Sequence, residues 1–140
     1  RPNNIYGIRQ YPEKLIPKTI RLLTKSKKIP LHGNGKNIRH YLSVDDFLTA
    51  LHIIIKKGHM GESYNIGSEN HFTNYEIVKK ICQGMKLDHK KQIKFVDDRP
   101  YNDSRYAIDY SKIKKLGWKN KFFLEDDLKL LILWYKNKYS

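Results

Sequence analysis

The chain has 140 residues, 39% hydrophobic and 12% aromatic, with a formal net charge of +14. That apolar share supports one compact core and excludes a disordered tail. The longest apolar runs, 51–55 and 130–133, fall far short of the roughly 18 residues a membrane span needs, and a single cysteine, Cys82, excludes an internal disulfide.

Arg1 is followed by no apolar stretch with a cleavage site, so no secretory signal is read there and a chain beginning partway through a longer gene product is expected. Leu15, Ile16, Ile20 and Leu23 recur at helical spacing, with Pro12 as the first-turn residue, and predict a helix over about 12–26. A short β-prone run over 29–32 leads to Gly33-Asn34-Gly35, the signal of a hairpin turn into a second strand over 37–42 that carries Arg39. Ser43 with Asp46 three residues on resembles a cap, after which Phe47, Leu48, Leu51, Ile54 and Ile55 form an apolar face ending at Lys57-Gly58.

A strand is expected over 62–67, and Thr73-x-x-Glu76 is a capping box opening a helix through Ile77, Val78, Ile81 and Met85. Residues 92–96 alternate as a strand, 106–108 read as another, and 111–116 as a short helix stopped by Gly117. The last helix, from 125 to about 138, opens on acids and closes on lysines, as the macrodipole favours. Helices mixed with short strands and a hairpin in one domain, 1–140, make the fold class mixed α/β.

The lysines are spread over helix ends and loops without forming a single stripe, which favours a solvated surface over a nucleic-acid face. Cys82 sits within a helical pattern, as a buried, inert thiol does. The six histidines show no metal-ligand spacing, so no metal is expected. Anion recognition needs fixed positive charge with donors. Arg39 and Arg99 offer planar guanidinium groups, Arg99 within the loop Asp97-Asp98-Arg99-Pro100-Tyr101-Asn102-Asp103. Lys14 lies where the first helix starts, where backbone N–H groups favour an anion. Asn3, Asn4 and Asn65 can donate and accept together, as sugar hydroxyls require. Glu13, Asp45 and Asp46 are carboxylates that the helix N-termini account for structurally.

Asn3-Asn4-x-Tyr6-Gly7, the 12–17 segment, Pro30-Leu31-His32-Gly33-x-Gly35 with Ile38-Arg39, Tyr64-Asn65-Ile66-Gly67, and Asp98-Arg99-Pro100 with Asp103-x-Arg105-Tyr106 occur in this order. Together they resemble the sugar-nucleotide 4,6-dehydratases, extended short-chain dehydrogenase/reductase enzymes. The resemblance runs from Arg1 to Trp134-Tyr135 and implies the C-terminal substrate-binding lobe of such an enzyme. It implies that Asn3 and Lys14 contact the diphosphate or sugar, that Pro30, Leu31 and His32 line the base, and that Arg39, Asn65 and Arg99 hold the nucleotide and phosphates. Glu13, Leu15 and Asn102 complete the implied substrate set. His32 and Tyr101-Asn102 depart from the bacterial dTDP-glucose enzymes and look closer to the UDP-glucose 4,6-dehydratases of rhamnose synthesis, so UDP-glucose is the expected substrate, with dTDP-glucose next. Ile8-Arg9 departs from the family pattern by adding a cation beside the site.

Family enzymes hold NAD on an N-terminal Rossmann half with a glycine-rich loop, and no such strand, loop and helix unit is read here. Their catalytic pair belongs to that half too, so no catalytic residue is assigned. Tyr75-x-x-x-Lys79 matches the spacing of that pair but lies beyond the substrate motifs in a different helix, where it reads as two solvated side chains one turn apart. The implied parent is a cytoplasmic homodimeric lyase and this chain alone is expected to be inactive. A basic nucleic-acid-binding module and a non-enzymatic remnant of the fold are the alternatives.

Overall fold

The computed structural model describes residues 1–98, 100 and 105–140 of the chain. Its first half runs β1 (Asn4–Tyr6), α1 (Leu15–Thr24), β2 (Ile29–His32), β3 (Ile38–Ser43) and α2 (Val44–Lys57). Its second half runs β4 (His71–Thr73), α3 (Asn74–Gly84), α4 (His89–Gln92), β5 (Ile93–Val96), β6 (Arg105–Tyr106), α5 (Ser111–Lys115) and α6 (Leu124–Tyr139). The central strand is β3. Its far end pairs in parallel with β1, while its near end lies between antiparallel β4 and parallel β6.

Side chains alternate across a strand, and β3 uses the alternation to serve two cores. Tyr41 joins the larger cluster, built from Ile16, Ile20 and Leu23 of α1, Ile77, Val78 and Ile81 of α3, and Leu128, Leu131, Ile132 and Tyr135 of α6. Leu42 joins the smaller one with Ala50, Tyr64, Ile66, Ile113 and Trp118. Each large apolar side chain so buried stabilises the fold by about 1.5–3 kcal/mol. Cys82 is fully buried in the larger cluster, and burial pushes its thiol up to about 11.

The helical periodicity and the Thr73–Glu76 capping box form as expected. The Thr73 hydroxyl accepts from the Glu76 amide at 3.1 Å, and the Glu76 carboxylate accepts from the Thr73 amide at 2.7 Å. Other expectations need correction. The helix expected from 12 begins at Leu15, because residues 11–14 form a turn closed by Lys14 N–H to the Tyr11 carbonyl at 3.0 Å. Pro17 therefore occupies the first turn, where its missing N–H costs nothing.

No hairpin joins β2 to β3. Gly33 and Gly35 do turn the chain, with φ of 56° and 70°, but β2 pairs in parallel with β5, Ile29 opposite Ile93 and His32 opposite Val96. The alternation of buried Ile29 and Leu31 seats β2 in the helical core, leaving β3 to the other sheet. Arg39 thus projects from a central strand, with Phe72 and Tyr106 as its register neighbours. The strand expected over 62–67 reduces to one bridge, Ile66 with Pro2. Ile66 exchanges backbone hydrogen bonds with Arg1 and Asn3, each at 3.0 Å, which make one bridge and no longer ladder among the described residues. The Ser43 hydroxyl accepts from the Asp45 amide, at 3.3 Å, while the Asp46 side chain is buried and accepts from the Lys121 and Phe122 amides. β1, β4 and α4 are further elements that the sequence pattern did not announce.

Candidate functional site

β1 ends at Tyr6, and Gly7 lets the chain leave the sheet where a Cβ would stand 2.7 Å from Val44 Cγ1. The backbone then crosses to α1, and the start of α1, the end of β2 and the face of β3 enclose a cleft of about 970 Å³ with it. Tyr135 of α6 pins this crossing from below: its hydroxyl donates to the Gly7 carbonyl and accepts from the Gln10 amide, each at 2.8 Å. The Gln10 side chain reaches back to the Ile5 carbonyl at 2.5 Å. Tyr6 is tied at its own hydroxyl, which donates to Asp127 at 2.6 Å. Burial, with Asp127 adding, holds the Tyr6 phenol well above its ordinary range, so it stays protonated at neutral pH.

Cations dominate the cleft. Among the described residues, Arg9, Lys14, Lys18 and Arg39 line it with one carboxylate, Glu13. Glu13 is engaged already, accepting from Arg21 at 2.6 Å and lying 3.5 Å from Lys18, and the Arg21 contact holds its carboxyl below the usual range. Lys14 stands at the cap position of α1, whose first turn carries no acidic residue. The Leu15 and Ile16 N–H groups make no backbone hydrogen bond among the described residues, so the helix start presents donors and uncancelled partial positive charge. Across the cleft, Pro30, Leu31 and His32 form a wall, with His32 Nδ1 fixed 3.0 Å from the Asp97 carbonyl. Arg39 Nη1 donates to the Ile38 carbonyl at 2.9 Å.

The structure brings Asn3, Glu13, Lys14, Leu15, Pro30, Leu31, His32 and Arg39 together on this one cleft. Asn3 Oδ1 accepts from the Ser68 amide at 3.0 Å, while its buried Nδ2 has no partner among the described residues. Asn65 is placed elsewhere, its amide donating to the Asp109 carbonyl at 2.8 Å. Arg99 and Asn102 lie outside the described residues. Gln10, Tyr41 and Val44 also line the cleft without having been singled out. Tyr41 was accessible to period-two reasoning, since residues 39 and 41 of a strand share a face. Tyr75 packs edge-on to His89 at 5.8 Å and does not line the cleft.

The described residues do not fit a nicotinamide cofactor. The Gly33-Asn34-Gly35 turn follows β2 but opens onto strand β3, so it presents no helix N-terminus to a pyrophosphate. No group of three metal-ligating side chains converges among the described residues, and no helix among them is long and apolar enough to cross a membrane.

A family model described as GDP-mannose 4,6 dehydratase matches residues 1–130. The dTDP-D-glucose 4,6-dehydratase of Dictyostelium discoideum is 41% identical, the match covering 98% of this chain and 39% of that protein. The trifunctional UDP-glucose 4,6-dehydratase/UDP-4-keto-6-deoxy-D-glucose 3,5-epimerase/UDP-4-keto-L-rhamnose-reductase of Arabidopsis thaliana is 44% identical, covering 96% of this chain and 20% of that protein. Among solved structures, the dTDP-glucose 4,6-dehydratase of Bacillus anthracis in complex with NAD superposes with a TM-score of 0.89 at 40% identity, covering 98% of this chain and 43% of that one. The chain thus spans less than half the length of each of these relatives. With a match across nearly its whole length and the same fold beneath it, this chain belongs to the GDP-mannose 4,6-dehydratase family.

Proposed function

We propose that this chain is the nucleotide-sugar-binding part of a 4,6-dehydratase, a lyase that converts UDP-glucose or dTDP-glucose to the 4-keto-6-deoxy sugar nucleotide. The observation that carries the reading is the α1 start, where two amides with no hydrogen bond among the described residues, Lys14 and an opposing Arg39 converge on one cleft. Lys14 and the Leu15 and Ile16 amides take the diphosphate as a charge-assisted set. Pro30, Leu31 and His32 take the base, and the unpartnered Asn3 amide donates to a sugar hydroxyl. His32 favours UDP over dTDP on the resemblance already drawn. Glu13, held by two cations, is a positioning carboxylate and takes no proton.

In this reading NAD and the catalytic groups sit on a Rossmann half supplied by the rest of a cytoplasmic, homodimeric parent, and this chain orients the sugar. The outer face of α2 supports a covering partner: Leu48 and Ile55, two turns apart, are 55% and 83% exposed. Residues 1–140 form one substrate-binding domain that binds nucleotides weakly and turns nothing over by itself.

Calorimetric titration with UDP and dTDP, set beside a gel shift with single-stranded oligonucleotides at two salt concentrations, tests the proposal. Saturable nucleotide binding without an oligonucleotide shift supports it. A salt-sensitive oligonucleotide shift with no nucleotide heat contradicts it in favour of a nucleic-acid-binding module, and NAD-dependent conversion of UDP-glucose by these 140 residues contradicts the assignment of catalysis elsewhere.

A further inference from the structure

Arg9 stands in the cleft-lining crossing with φ of 64°, a left-handed backbone that a residue with a Cβ seldom adopts. Such a conformation persists only where its surroundings over-determine it, and here the cause is visible. The Tyr135 hydroxyl clamps the residues on both sides of the Ile8-Arg9 pair, and the Gln10 side chain adds a third tie to Ile5. Tyr135 is fully buried and serves this clamp with both its donor and its acceptor. The clamp fixes the backbone, while the Arg9 side chain itself is exposed and makes no hydrogen bond or ion pair with another described residue.

Charge in the cleft sharpens the point. Lys18 is matched by Glu13, whereas Arg9 forms no ion pair with a carboxylate among the described residues. An unmatched guanidinium on a clamped backbone at a cleft is suited to planar, bidentate contact with phosphate oxygens. We propose that Arg9 is an anion-recognition residue for the ligand's diphosphate and that Tyr135 is its positioning residue, acting through Gly7 and Gln10. This rests on the nucleotide-sugar reading. It assigns a specific role to the one cation by which the segment departs from its family pattern.

Titrations of the 140-residue chain with UDP and with uridine, followed by NMR, test it. Arg9→Ala weakens UDP about tenfold, the scale of one charge-assisted contact, and leaves uridine unchanged. Arg9→Lys recovers part of the loss. Tyr135→Phe weakens UDP severalfold, and the Arg9→Ala/Tyr135→Phe double variant binds no more weakly than Arg9→Ala alone, because both changes remove the same contact. Tyr139→Phe, which alters a neighbouring stacked ring whose hydroxyl has no partner among the described residues, leaves UDP binding as it was. Arg9→Ala binding UDP like the wild type overturns the inference, as do fully additive losses in the double variant. Arg9 is on the surface, so the first result stands even if Tyr135→Phe does not fold. A wild-type chain that binds no UDP contradicts the nucleotide-sugar reading beneath it.

Discussion

The Asp46 carboxylate accepts from the Phe122 amide at 3.1 Å, joining the first turn of α2 to the segment that leads into α6. It also accepts from the Lys121 amide at 3.1 Å and the Asn120 side chain at 3.3 Å, and it is fully buried. Asp46→Ala leaves those donors without partners and costs about 2–4 kcal/mol. Asp46→Asn costs less, since one amide oxygen remains while its NH2 faces a donor. Denaturant unfolding with an unchanged slope checks both.

Gly35 turns the chain above Leu31 with φ of 70°, and a Cβ there would stand 2.6 Å from Leu31 Cδ2. Gly35→Ala carries the left-handed strain of about 1 kcal/mol and pushes Leu31 toward the cleft. Loss of about 2 kcal/mol of stability is expected, together with weaker nucleotide binding. Thermal unfolding and a UDP titration of the same variant check the pair.

The Thr73 amide and hydroxyl hold the Glu76 carboxyl below its usual range. A folded value lower than the unfolded one gives stability that is present above the unfolded value, about 4.3, and is lost as pH falls through the folded one. Glu76→Gln is therefore less stable than wild type by about 0.5–1 kcal/mol at neutral pH. The gap closes as pH is lowered through the acid range, which a pair of unfolding series at pH 7 and pH 3 checks.

Cys82, with its thiol pushed up to about 11 and no exposed surface, stays protonated and shielded at pH 8. Its reaction with a disulfide reagent is expected to be at least a hundredfold slower in the native chain than in denaturant, following the opened fraction of the fold. Timed absorbance at pH 8, with and without denaturant, checks it.

What the sequence announced was local. The α3 capping box and the acid-to-lysine polarity of α6 depend on neighbours three or four residues away, and the structure contains both. Of the apolar positions read on α2, Phe47, Leu51 and Ile54 pack against the smaller core while Leu48 and Ile55 are exposed. Pairing was not local: Gly33-Asn34-Gly35 turns the chain as expected, but the strand it follows finds its partner in β5, late in the chain. The same limit hid Tyr135, since nothing near it in sequence marks it as a clamp on residues 7–10. Lys14, His32 and Arg39 were legible because their motifs are recognisable by type and order. Their meeting on one cleft depends on the β2–β5 and β1–β3 pairings, which only the structure supplies.

The most direct measurement is a two-dimensional NMR titration of the chain with UDP-glucose. Saturable amide shifts concentrated at Asn3, Lys14, Leu15, Leu31, His32 and Arg39 are expected, with the α3–α6 face unmoved. Shifts confined to that face, or no saturable shift at the cleft, would contradict it.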